Sequence, residues 1–95
     1  MKETGGYRYY YVEHLDLVGR TPENNFFASE VYHPGSGWVR DANHDISDRI
    51  MGYDPDEEPG WRMGNSDLMS EIRAISRDKA IELILRLTEE KEVKT

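Results

Sequence analysis

Cysteine is absent from the 95 residues, which excludes disulfides, thiol catalysis and thiolate zinc sites together. Long apolar runs are absent too. The most apolar stretch, AIELILRL, is interrupted by Glu82 and Arg86, far short of the roughly 18 residues that a membrane span needs. No apolar stretch of signal-peptide kind precedes the tyrosines of GGYRYYY, so the expectation is a cytoplasmic protein without membrane association.

Positive charge is the minority, with 12 Lys and Arg against 19 Asp and Glu for a net charge of -7. The imbalance is local. Between residues 41 and 60, Asp41, Asp45, Asp48, Asp54, Asp56, Glu57 and Glu58 face a single cation, Arg49. Such a chain repels phosphate backbones, so direct nucleic-acid binding is not expected, and the acidic stretch serves either a basic surface on a partner protein or simple solubility.

Motifs that carry chemistry are also missing. No phosphate-cradling G-x-x-x-x-G-K-S/T or G-x-G-x-x-G occurs, and GSG at Gly35–Gly37 is a turn rather than a nucleophile elbow. Asp41, Asn43 and Asp45 have the start of an EF-hand spacing, but Ile46 stands where the loop needs glycine and Gly52 where it needs glutamate. His14, His33 and His44 lack paired metal-ligand spacing. No catalytic residue, metal ligand or cofactor site is therefore expected.

The apolar fraction of 37% is modest, yet 11% of the residues are aromatic, and each large ring buries on the order of 150–250 Å². One small domain spanning 1–95 follows, with 1–5 and 92–95 as flexible ends. In YRYYYVEHLDLV, the odd positions Tyr7, Tyr9, Tyr11, Glu13, Leu15 and Leu17 alternate with even ones that include Arg8, His14 and Asp16, the period of a strand with its odd face inward. Tyr10 and Val12 blur that contrast and suggest partial cover on the other face. GRTPENN reads as a turn, FFASEVYH as a second strand with Phe27, Ser29 and Val31 inward and Glu30 in solvent, and WVR as a third.

From Asp41 the period lengthens. Ala42, Ile46 and Ile50 lie four apart, Asp45 and Arg49 pair across one turn, and Gly52 and Pro55 stop the helix. After the loop YDPDEEPGWRMGN, Ser66 caps a segment in which Leu68, Ile72 and Ile75 share a face, and Ser76 caps the last helix. The expected fold is α+β: a three-stranded antiparallel meander (7–18, 25–33, 37–40) followed by helices at 43–51, 66–75 and 77–91, packed on one face.

The segments YYYVEHLDLVGRTPENNFFASEVYHPGSGWV, DRIMGYDPDEE and GNSDLMSEIRAIS look like the small acidic proteins of bacterial and phage genomes, a resemblance that implies no activity. The expected function is a protein-interaction module of immunity, inhibitor or accessory type that binds a basic partner surface. Its candidate contacts are Asp54, Asp56, Glu57, Glu58, Trp61 and Tyr10, an aromatic anchor ringed by charge. The alternative is a small-ligand or divalent-metal protein, even an enzyme, using the loop 54–58. The wide apolar arc Ala80, Ile81, Leu83, Ile84, Leu85 and Leu87 also admits a homodimer through helix 77–91. Stacking of single-stranded nucleic acid on the tyrosines is disfavoured, because Arg8 is the only cation within that run.

Overall fold

A strand that carries large side chains at both parities, as Tyr9 and Tyr11 alternate with Tyr10 and Val12, has to be covered on both faces. The computed structural model, which describes residues 6–25, 28–54, 56–58, 60 and 63–94, has such cover. Among the described residues the chain forms strands β1 (Tyr7–Val12), β2 (Leu17–Pro22), β3 (Glu30–His33), β4 (Gly37–Arg40) and β5 (Ile72–Ile75). It also forms helices α1 (Asp45–Met51), α2 (Ser66–Met69) and α3 (Arg77–Lys94). The strands make one antiparallel sheet in the order β4-β3-β2-β1-β5.

Side chains of one parity, Val12 and Val31 with Tyr10, Leu17, Val39 and Ile72 around them, pack with Ile46 and Ile50 of α1. Those of the other parity, Val18 with Tyr9, Tyr11, Tyr32, Trp38 and Ile75, pack with Ala80, Leu83, Ile84 and Leu87 of α3. The α+β class stands, but the expected single helical face does not: α1 and α3 lie on opposite faces of the sheet. The blurred alternation in β1 was the signal for this, since neither parity is polar enough to face water.

The expected first strand divides in two. A single 3-10 turn at Glu13–Leu15 reverses the chain, and Asp16 closes it in the left-handed region at φ 50°, its N–H donating to the Glu13 carbonyl at 3.0 Å. Aspartate tolerates that conformation better than most residues because its short polar side chain bonds locally. The return strand then runs through Gly19, Arg20, Thr21 and Pro22, where turn-forming composition pointed to a loop. Gly19 is there for packing: a Cβ on it would lie 2.4 Å from Cδ1 and Cγ1 of Ile46, so α1 reaches the sheet only over a bare backbone.

The segment 66–75, expected as one helix, is a four-residue helix followed by β5. Leu68, Ile72 and Ile75 do fit a helical stripe. However, β1 offers a row of backbone donors and acceptors that β5 satisfies, with Tyr9 opposite Ile75 and Val12 opposite Ile72, and isoleucine favours the pleated surface. The second strand is shorter than expected. Phe26 and Phe27 lie outside the described residues; Ser29 and Val31 are buried as expected, but Glu30 turns to the α3 face and pairs with Arg20 instead of standing in solvent.

Asp41 is not a solvated acid at a helix start. It is 4% exposed, and its carboxylate accepts the Ser29 hydroxyl at 3.0 Å and the N–H groups of Asp45 and Ile46 at 2.9 and 2.8 Å. These satisfy first-turn donors that would otherwise be orphaned. The expected Asp45–Arg49 pair forms at 3.4 Å, with Glu71 as a second partner of Arg49 at 2.9 Å. Gly52, at φ 67°, ends α1 as its position predicts. Ser76 caps α3 by accepting the Lys79 N–H at 3.0 Å. That helix extends to Lys94, past the expected end at residue 91.

Candidate functional site

Strand register gathers aromatic and cationic side chains that are far apart in the chain. Tyr9 is opposite Arg20, Arg20 opposite Glu30, and Tyr32 opposite Trp38. On the α3 face of the sheet the Arg20 guanidinium therefore lies 4.0 Å from the Tyr7 ring centre and 4.3 Å from that of Trp38, with its Nε 2.7 Å from the Glu30 carboxylate. Tyr9 and Tyr32 extend the cluster, their centroids 6.2 and 5.5 Å from that of Trp38. A guanidinium between two rings is worth about 1 kcal/mol for each ring at a half-exposed site. The charge of Glu30 then fixes its orientation. Tyr7 remains 36% exposed at the margin.

Beside this cluster the sheet edge is notched. β5 ends at Ile75, opposite Tyr9, while β1 continues through Arg8 and Tyr7 with no β5 residue across from them. The chain turns away there into α3, leaving a cleft of about 760 Å³ walled by Tyr7, Tyr9 and Ile75 on one side and Tyr10 and Ala74 on the other. Its charged residues are Arg8, Arg20, Arg77 and Glu23. In an acidic protein this corner is locally basic.

At the opposite end of β1, the Tyr11 hydroxyl donates to Asp16 at 2.5 Å and Arg86 donates to both Asp16 oxygens, at 2.7 and 3.3 Å. Glu90 is a further partner of Arg86 at 3.0 Å. The hydrogen bonds from Arg86 and Tyr11 hold the Asp16 carboxyl below its usual range. Donation to that carboxylate pushes the Tyr11 phenol up, and the Arg86 guanidinium is stabilised in its charged form by the Asp16 carboxylate. A phenol driven upward is a poor base at neutral pH. The group clips α3 to the β1–β2 turn.

The acidic loop is an excursion closed at its base, where the N–H groups of Gly64 and Asn65 donate to the carbonyls of Met51 and Gly52 at 3.0 and 2.9 Å. Asp56, Glu57 and Glu58 are exposed and Asp54 is half-buried, its carboxylate accepting the Asp56 N–H at 3.0 Å. Trp61 lies outside the described residues. Tyr10 is half-buried against the Val12–Val31–Ile46 cluster. Of the six contacts expected from sequence, the structure thus keeps the carboxylates together in one loop and places Tyr10 in the packing beneath α1. Among the described residues no group of three or more His, Asp and Glu is arranged to hold a metal ion, and no helix is long and apolar enough to cross a membrane.

Sequence reasoning missed Arg20, Trp38 and Arg77. The spacing of Tyr7 and Tyr9 announced one face, but only the pairing of β1 with β2 and β5 shows which cations join it. Compared with known protein families, curated proteins and solved structures, the chain has no match in any of the three.

Proposed function

We propose that this chain is a protein-interaction module that anchors a partner on the Tyr7–Arg20–Trp38 cluster and uses the acidic excursion to steer that partner's basic surface toward it. The observation that carries this reading is Arg20 held between two rings by Glu30. Tyrosine, tryptophan and arginine dominate binding hot spots, and a side chain already locked in place loses little entropy on association. Asp56, Glu57 and Glu58 are exposed, where charges act on association rate and salt dependence more than on final affinity.

The test is capture from native lysate with wild type, Trp38→Ala and the double charge reversal Glu57→Lys/Glu58→Lys, each checked for folding by circular dichroism. One dominant protein should be recovered by wild type, lost with Trp38→Ala, and recovered more slowly and with weaker salt sensitivity by the charge reversal. Recovery that ignores both variants, or no recovery at all, overturns the reading. A homodimer is a second reading, favoured by Ile81 and Leu85, which are 43% and 59% exposed and one turn apart on α3. Sedimentation of Leu85→Glu against wild type decides it: a dimer shifts to monomer, and identical profiles reject the seam.

A further inference from the structure

The notch beside β5 has features that the interaction surface does not use. Arg8 projects from the α1 parity of β1, Arg77 begins α3 just past the end of β5, and both line the cleft. Both are exposed, and neither has an ion-pair partner among the described residues. By contrast, Arg20, Arg49, Arg73 and Arg86 are each paired with a carboxylate. Of the three described arginines without an ion pair, Arg40 lies elsewhere, while Arg8 and Arg77 flank this one cleft from opposite sides, in a chain whose net charge is -7. Glu23 is the one carboxylate in its lining.

The walls of this open cleft combine ring and aliphatic surface with charged side chains, and its volume of about 760 Å³ lies within the roughly 300–1,000 Å³ of small-molecule sites. We propose that this cleft binds a free nucleotide, with its phosphate clasped by Arg8 and Arg77 and its base laid against Tyr7 and Tyr9. Guanidinium is the side chain best matched to phosphate, which it meets with two parallel hydrogen bonds. Aromatic faces accept a base without regard to its identity. A free nucleotide is favoured over a nucleic-acid strand because a longer polyanion must also approach the carboxylates that dominate the rest of the surface.

The experiment is titration of the full chain, followed by amide chemical shifts, with adenosine 5′-monophosphate, adenosine, inorganic phosphate and a short oligothymidylate as separate probes. The expected result is saturable binding of the monophosphate with shifts confined to residues 7–10, 20 and 74–77. Adenosine and phosphate alone should bind much more weakly. Arg8→Gln and Arg77→Gln should each weaken the monophosphate by about tenfold, with unchanged melting temperature because both side chains are exposed and unpaired. Tyr7→Leu should weaken the monophosphate and leave phosphate alone unaffected. Absence of saturable shifts, shifts centred elsewhere, phosphate binding as tightly as the monophosphate, or the oligonucleotide binding more tightly than the monophosphate each overturns the proposal. Because Arg8 and Arg77 lie outside the Tyr7–Arg20–Trp38 cluster, loss of nucleotide binding in their variants leaves partner capture intact.

Discussion

Replacing Gly19 by alanine tests how α1 reaches the sheet. In an unencumbered strand this change should stabilise the fold by about 0.5–1 kcal/mol, since alanine has less backbone entropy to lose. Here the added Cβ would lie 2.4 Å from two Ile46 carbons and 3.3 Å from the Glu30 carbonyl oxygen. Ordinary contact begins at 3.4 Å, so Ile46 must retreat by about 1 Å. It has nowhere to go: Ile46 is 0% exposed, packed with Val12 and Val31, and the first turn of α1 is tied to Asp41. Overpacking of this kind costs about 1–3 kcal/mol, which in a domain of this size is a fall in melting temperature of about 4–8 °C for each kcal/mol.

Equilibrium urea denaturation of Gly19→Ala, Ile46→Ala and the double variant is the assay. Ile46→Ala alone should cost about 2–5 kcal/mol through the cavity it leaves. Because it also removes both clashing carbons, the double variant should be more stable than the sum of the two losses predicts, by about 1–3 kcal/mol. A stabilising Gly19→Ala, or strict additivity in the cycle, would refute the close approach of α1 over Gly19.

Asp41→Ala should lower stability by about 2 kcal/mol or more, because a buried carboxylate that accepts from Ser29 and the first turn of α1 leaves those donors unsatisfied; urea melts report it. Ile84→Asp should unfold the domain in circular dichroism, since Ile84 packs against the Val18–Ala80–Leu83 cluster and the substitution puts an unpaired charge there. Asp16, whose carboxyl is held low by Arg86 and Tyr11, stabilises the fold above the ordinary aspartate range, and that contribution is lost as pH falls through its lowered folded value. Asp16→Asn should therefore be less stable than wild type near neutrality and show a shallower acid decline below about pH 4; wild-type steepness in the variant would show that Asp16 is not clamped. Burial pushes the Asp48 carboxyl up, so its charged form weakens the fold above that raised value. Asp48→Asn should stabilise the protein at pH 7 and lose the advantage toward pH 4, as thermal melts at both pH values will measure.

Local chemistry was legible wherever one segment decides its own state. Gly52 ends α1, Ser76 starts α3, and Asp45 pairs with Arg49 across one turn. The stretch LVGRTP misled because glycine and proline usually mark turns; here Gly19 answers to Ile46, 27 positions later in the chain. IRAI misled because its isoleucines fit either period, and β1 supplies the ladder that makes it a strand. Glu30 misled because its charge points to water and so selects the register of its strand, while the Arg20 that stands opposite it comes from another segment.

The sequence by itself determined that the protein is α+β, that its excess negative charge sits in 41–60, and that thiol chemistry has no part in it. These depend on composition and on contacts within a few residues. Tertiary structure alone decided that the sheet has helices on both faces, that Tyr10 lies beneath α1, and that Arg20 and Arg77 join the tyrosines. Side-chain parity names the two faces of a strand, but the neighbour across each face is chosen by pairing between distant segments, where burial and backbone hydrogen bonding outweigh local preference.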